Sequence, residues 1–133
     1  LKEGWTMLAI DELHMYLQHP YMRKTLQSMV LRARKYNAMI WCATQQITHC
    51  LNPQYAYEVS SLLNSSPIKF LFNLGDVELG EVKKALSLKD GEIKCIAAAV
   101  KRHCLVLAGK ERYAIEVGTL PYEEHLFGKG GGQ

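Results

Sequence analysis

The sequence contains no G-x-x-x-x-G-K-[ST] segment, so the chain carries no loop of its own built to cradle a triphosphate. Its nearest approach, "GKGGG" at 128–132, has no Ser or Thr after the lysine and no strand or helix placed correctly around it. No apolar run comes near the roughly 20 residues that a membrane span needs. There is no signal peptide, and nothing points to secretion. The four cysteines, Cys42, Cys50, Cys95 and Cys104, show no C-x-x-C spacing. His14, His19, His49, His103 and His125 do not join them at ligand spacing, which argues against a structural zinc site. Cys42 sits inside one apolar run and Cys104 opens another, so the cysteines read as reduced, mostly buried thiols of a cytosolic protein. Charge of one sign is also scarce. A net charge of +3 is too mild to argue for nucleic acid by itself. The small basic groups at Arg32, Arg34 and Lys35, at Lys83 and Lys84, at Lys101 and Arg102, and at Lys110 and Arg112 read as solvated faces.

What is present is a globular balance: 133 residues, 48% apolar and 22% charged, enough for one domain with a real core. The chain opens at Leu1 without a methionine and reads as a piece of something longer. Trp5 to Ile10 has the continuous apolar pattern of a buried strand. Pro20 opens a helix in which Met22, Leu26, Met29, Val30 and Ala33 share one face, running to about Tyr36 and ended by Asn37. "AMIWCAT", Ala38 to Thr44, is a second continuous apolar strand, of the kind that suits a sheet covered on both faces. Trp5 and Trp41 therefore read as core. Ala56, Val59, Leu62 and Leu63 predict a helix stopped by "NSSP"; Ile68 to Phe72 is a third strand. Asp76 to Leu86 reads as a helix with Asp76 as N-cap, and Ile93, Ile96, Ala97 and Val100 mark another. "CLVLAGKERYAIEV" is a hairpin turning at Gly109-Lys110. The order β-α-β-α-β, two helices and a hairpin predicts an α/β fold with a mostly parallel sheet and flanking helices. One domain is expected over 1–127, with a flexible glycine-rich tail at 128–133.

The chemistry lies where the first strand runs into "IDELH". In open α/β sheets ligands bind beyond the carboxyl ends of the strands. Asp11 and Glu12 stand there on the first strand, and Gln45 stands there on the second. An apolar strand ending in two acids is the Walker B pattern of P-loop nucleotide hydrolases. The first carboxylate offers hard anionic oxygen to a hydrated Mg²⁺. The second orients and deprotonates the attacking water. A Gln at the next strand end both donates and accepts, as a sensor of the γ-phosphate must. The competing explanation is purely structural: acids after a buried strand cap the N-terminus of the next helix in many α/β domains. Without a phosphate cradle, this chain alone is not expected to bind ATP well.

Four pieces in order, "LAIDELHMYL", "LRARKYNAMIWCATQQ", "LSLKDGEIKCI" and "LVLAGKERYAIEVGTLPYEEHLFG", resemble the conjugal-transfer ATPases of type IV secretion systems, the TraC/TraE-like, VirB-type group. The resemblance runs over nearly the whole chain and is most specific from Arg34-Lys35-Tyr36-Asn37 to Thr44-Gln45. "IDELH" also matches the DExH box of helicases, but the Q-x-x-G-R-x-x-R motif of their second motor domain is absent. The resemblance implies the C-terminal half of a RecA-like motor domain, with the Walker A half upstream of Leu1. It implies an ATPase, hexameric or of lower order, using ATP and Mg²⁺ at the cytoplasmic face of the membrane without spanning it. Such a motor powers assembly of the transfer machine and passage of substrate, working with the other secretion and conjugation components. Carried over by motif, Asp11 is the Mg²⁺ carboxylate, Glu12 the catalytic base and Gln45 the γ-phosphate sensor. Arg34 is the arginine finger for a neighbouring subunit's nucleotide, with Arg32 as the rival and a surface arginine paired to a nearby acid as the alternative. Arg112, at the hairpin turn, is a further candidate for nucleotide contact across an interface. His14 reads as a helix-face histidine and not a ligand.

The same resemblance implies a gap. In this motor class the P-loop strand lies between the second and third strands read here, and this chain lacks it. An unpaired sheet edge invites pairing with another chain, so the chain by itself is expected to rearrange or self-associate. Two other functions stay open on the sequence. A DNA-translocating motor of the coupling-protein or FtsK type shares the same acid and glutamine positions and would touch DNA. A non-enzymatic assembly module would use the two acids only to cap a helix.

Overall fold

A computed structural model describes residues 4–123. Strand β1 is Thr6–Ile10, followed by α1 at Leu13–Gln18 and α2 at Pro20–Arg32. Pro20 sits in the first turn of α2, where its missing N–H costs no bond. A 3-10 turn, Ala33–Tyr36, ends at Asn37, whose left-handed backbone (φ 49°) closes the helix and turns the chain into β2 at Ala38–Cys42. Then come α3 at Ile47–Cys50, a 3-10 turn at Pro53–Tyr55, α4 at Ala56–Ser65, β3 at Ile68–Leu71, α5 at Asp76–Leu86, α6 at Asp90–Ala97, β4 at His103–Ala108 and β5 at Glu111–Glu116. The glycine-rich segment 128–133 and the end of the expected domain at 124–127 lie outside the described residues.

The strands form two sheets rather than one. β1 and β2 pair in parallel, Thr6 opposite Ala38 through Ile10 opposite Cys42. β3, β4 and β5 form an antiparallel sheet in that order. The expectation of a mostly parallel sheet is corrected here. β3 pairs with the hairpin strand β4, and no ladder joins it to β2. The result is a break in pairing between the second and third strands. Across it the rings of Trp41 and Phe70 stack, centroids 5.9 Å apart and 12° from parallel.

All the helices with a buried face pack on one side. Leu17, Leu26, Cys50, Tyr55, Val59 and Leu62 form a core against Ile10 and Ile40, the inward residues of β1 and β2. Leu79, Val82, Leu88 and Ile96 form a second core with Leu105 and Leu107 of β4 and with Leu71 of β3. Ile47 packs against both cores and joins them. The strand period of two then puts Met7, Met39, Trp41, Ile68, Phe70, Tyr113 and Ile115 on the other side, where they are exposed. Trp5 is 82% exposed and Trp41 49%, so neither tryptophan is core and the sheet is not covered on both faces by the described residues. The apolar strands were read correctly; what they could not show is which part of a protein supplies the second cover.

Smaller corrections follow the same logic. Gly75, not Asp76, is the N-cap of α5, and its N–H donates to Glu78 Oε2 at 3.3 Å. Val100 lies outside α6 and is exposed. On α2 only Leu26 of the apolar stripe is fully buried, while Met22 and Met29 stay half-exposed. Cys50 and Cys104 are buried and Cys95 partly so, but Cys42, at the end of β2, is exposed.

Candidate functional site

The parallel ladder of β1 and β2 continues one step past both strands. Ala43 N donates to Ile10 O at 2.9 Å, and Leu13 N donates to Ala43 O at 2.8 Å. These bonds clamp the segment Asp11-Glu12 beside Thr44-Gln45 at the carboxyl ends of the strands. Asp11 is exposed, and its Oδ1 accepts the backbone N–H of Glu12 at 2.9 Å. Glu12 occupies the N-cap position of α1, yet its side chain makes no capping bond. Its backbone is left-handed at φ 50° and ψ 52°, a conformation that costs a non-glycine residue about 1 kcal/mol. The carboxylate turns instead to the second strand end. Gln45 Nε2 donates to Glu12 Oε1 at 3.0 Å. The structure therefore brings Asp11, Glu12 and Gln45 together, and the helix-cap account of Glu12 has no hydrogen bond behind it.

Sequence reasoning missed His14 and Thr44. His14, on the first turn of α1, is 8% exposed. Its Nδ1 lies 3.2 Å from Thr44 Oγ1 and 3.2 Å from Glu12 Oε2. Thr44 Oγ1 also accepts from Gln46 N at 3.2 Å and from Cys50 Sγ at 3.8 Å. Burial pushes the Cys50 thiol above its ordinary value, and the charge of Glu12 adds to the shift. His49 packs edge-on against the His14 ring, centroids 6.0 Å apart. The available signal was positional: His14 follows the second acid by two residues and Thr44 precedes Gln45 directly, so both sit at the same pair of strand ends.

The arginines stand elsewhere. Arg34 lies in the turn that precedes β2, whereas Gln45 follows β2. A strand of that length spans roughly 16 Å, so Arg34 faces the edge of the sheet opposite the acids of its own chain. It is exposed, and among the described residues neither Arg32 nor Arg34 forms an ion pair. Arg112 is committed. Its Nε pairs with Glu92 Oε1 at 3.3 Å, and its Nη1 donates to the carbonyls of Gly109 and Glu111 at 3.0 and 2.9 Å. It lines a cavity of about 240 Å³ with Lys69, remote from the acids near the start of β3. Burial, helped by Arg112, pushes the Lys69 ammonium below its ordinary value.

Among the described residues no group of three or more His, Cys, Asp and Glu converges to cage a metal ion. That is compatible with Mg²⁺ held as magnesium is in nucleotide sites, through one carboxylate, water and phosphate oxygens. Asp11 offers the hard anionic oxygen such an ion takes.

No family model matches the sequence, and no curated protein does. A solved structure does: VirB4 of Thermoanaerobacter pseudethanolicus, at a TM-score of 0.85 and 27% identity over 91% of this chain. The chain spans 33% of the length of that protein, so its fold is similar to that of about one third of VirB4.

Proposed function

We propose that this chain is part of the motor domain of a type IV secretion ATPase and forms one side of its nucleotide site. In this reading residues 1–127 are the C-terminal part of a RecA-like domain, and the phosphate-cradling loop belongs to another part of a longer protein. The observation that carries the reading is the convergence of Asp11, Glu12 and Gln45 at paired strand ends within a VirB4-like fold. Glu12 adopts a strained backbone there without capping the helix it begins. Strain held at a polar site and not spent on local structure points to function.

Each residue then has a task. Asp11 supports Mg²⁺ through water. The chemistry Mg²⁺ supplies with ATP is neutralisation of phosphate charge. Glu12 orients the attacking water and takes its proton on a carboxylate oxygen. Gln45, which now donates to Glu12, has an amide that can exchange this bond for one to the γ-phosphate. Arg34 serves the site of a neighbouring copy, because it lies at the far edge of its own sheet. Arg32, at the end of α2, is the rival. Arg112 would first have to leave Glu92 and two carbonyls, so it ranks behind both for nucleotide contact. The intact protein would act as a hexamer or lower oligomer at the cytoplasmic face of the membrane, with other secretion components. No helix among the described residues is long and apolar enough to cross a membrane.

The test is ATP turnover by the longer protein, wild type beside Glu12→Gln. We expect a loss of about two decades or more with nucleotide binding retained, the size a general base supplies. Unchanged turnover would leave the two acids as structural groups of an assembly module. Turnover raised by DNA, with steep salt dependence, would add a direct DNA contact.

A further inference from the structure

Glu12 Oε2 is buried and has no hydrogen-bond partner. A bare carboxylate oxygen out of water is costly, and such an atom needs an explanation. The nearest group is His14 Nδ1 at 3.2 Å, the atom that also bonds Thr44 Oγ1 at 3.2 Å. Nδ1 thus lies 3.2 Å from two oxygens, a hydroxyl and an anionic carboxylate. A proton on it is attracted to both, whereas a lone pair there is met only by the Thr44 hydroxyl and is repelled by the carboxylate, so the contacts favour the tautomer with the proton on Nδ1. That proton has two acceptors beside it: Thr44 Oγ1, in hydrogen-bond geometry, and Glu12 Oε2, at 3.2 Å but outside it.

We infer that His14 is a positioning residue for Glu12. It presents the Nδ1 proton to Oε2 while Gln45 Nε2 holds Oε1, and through Thr44 it ties the end of β2 to the start of α1. When Gln45 leaves Glu12 for a phosphate, the imidazole is the group that keeps the carboxylate aimed at the attacking water. The ring suits the task because it is 8% exposed and held in place by Thr44 and by the edge of His49. This inference rests on the reading of Glu12 as the base.

The experiment uses the longer ATPase, comparing wild type, Glu12→Gln, His14→Phe and His14→Asn. Phenylalanine keeps the ring volume and loses the donor. Asparagine puts an N–H close to where Nδ1 stands. We expect His14→Phe to lower kcat about tenfold to a hundredfold, the size of a misaimed catalytic group, with ATP affinity within about twofold. His14→Asn should recover most of that loss. Wild-type turnover in His14→Phe, or equal losses in binding and turnover for both His14 variants, would overturn the inference while a crippled Glu12→Gln left the base reading standing. A silent Glu12→Gln would remove both. Ring-nitrogen chemical shifts of ¹⁵N-histidine in the unmodified protein give a second readout that needs no variant to fold. A proton on His14 Nδ1 is expected, and a bare Nδ1 with the proton on Nε2 overturns the inference.

Discussion

At the scale of single residues, the proposed chemistry rests on two strand ends. Glu12 and Arg34 lie at opposite ends of the same parallel pair, so the proposed function requires that they serve different nucleotides of an oligomer. This geometry makes a specific prediction about mixed oligomers. Arg34→Ala alone should lower turnover of the longer protein by about 10³ or more, the worth of an arginine finger, as Glu12→Gln does for its own reason. Mixing the two inactive variants should restore a fraction of turnover, because some interfaces pair an intact Arg34 with an intact Glu12. Subunit mixing followed by an ATPase assay checks this, and no recovery at any ratio would place the finger elsewhere, with Arg32 next to test. The thiols make a second residue-scale prediction. Cys42 is exposed and Cys50 and Cys104 are buried; desolvation raises the pKa of all three, so exposure decides the order. A maleimide on this folded chain should label Cys42 first, and peptide mass spectrometry of a time course reads the order.

At the scale of elements, the helices hold the site through one buried cation. Arg23, on α2, is 8% exposed. Its Nη1 donates to Leu17 O, at the end of α1, at 2.7 Å. Its guanidinium faces Glu58 of α4 at 3.7 Å and lies 4.8 Å above the Tyr55 ring. Tyr55 in turn donates its hydroxyl to His49 O. Arg23 thus ties together the elements around the helix that begins at Glu12. Arg23→Ala removes the donor to Leu17 O and the cation facing the half-buried Glu58, and should cost about 1–3 kcal/mol by urea unfolding. Leu17→Ala, at a fully buried position of α1, should cost about 2–5 kcal/mol. The second half of the molecule uses Glu92 twice, as acceptor for Lys89 N at 2.7 Å and as the partner of Arg112 on the hairpin. The periodicity of two and of 3.6 revealed the strands and the longer helices in the sequence, down to Asn37 closing one helix and Gly109, at φ 59°, turning the hairpin, but not the short α1 and α3. It did not reveal Arg23, because a basic residue beside an apolar stripe reads as solvated until its partners from α1 and α4 are in place.

At the scale of the whole molecule, the helices cover one face of the two sheets and leave many apolar side chains of the other face exposed, although Cys104 and Val106 of β4 are buried there. Met39, Trp41, Ile68, Phe70, Tyr113 and Ile115 lie there beside two unpaired strand edges, an area and an edge that soluble proteins rarely leave open. The chain by itself should self-associate at micromolar concentrations, and light scattering against concentration checks it. A monomer throughout would show that water alone tolerates the face. The molecule has only two tryptophans, and both lie exposed beside or on this face. Iodide should quench their emission efficiently in dilute samples of this chain. Trp41 should be protected where a second layer covers it, a contrast best read in single-tryptophan variants of the chain and of the longer protein.

The sequence by itself determined the strands and the longer helices, the order β-α-β-α-β with a terminal hairpin, and the meeting of Asp11, Glu12 and Gln45. Each of these follows from local period or from the rule that strand ends in parallel pairs gather their loops. Only the tertiary structure decided that the strands fall into two sheets, that the tryptophans are exposed, that Arg112 is clamped, and that His14 stands against Glu12. The physical reason is common to all four. Pairing and burial depend on which groups arrive from distant parts of the chain, and an apolar strand, an arginine or a histidine has the same local pattern whether its partner is present, absent or supplied from elsewhere.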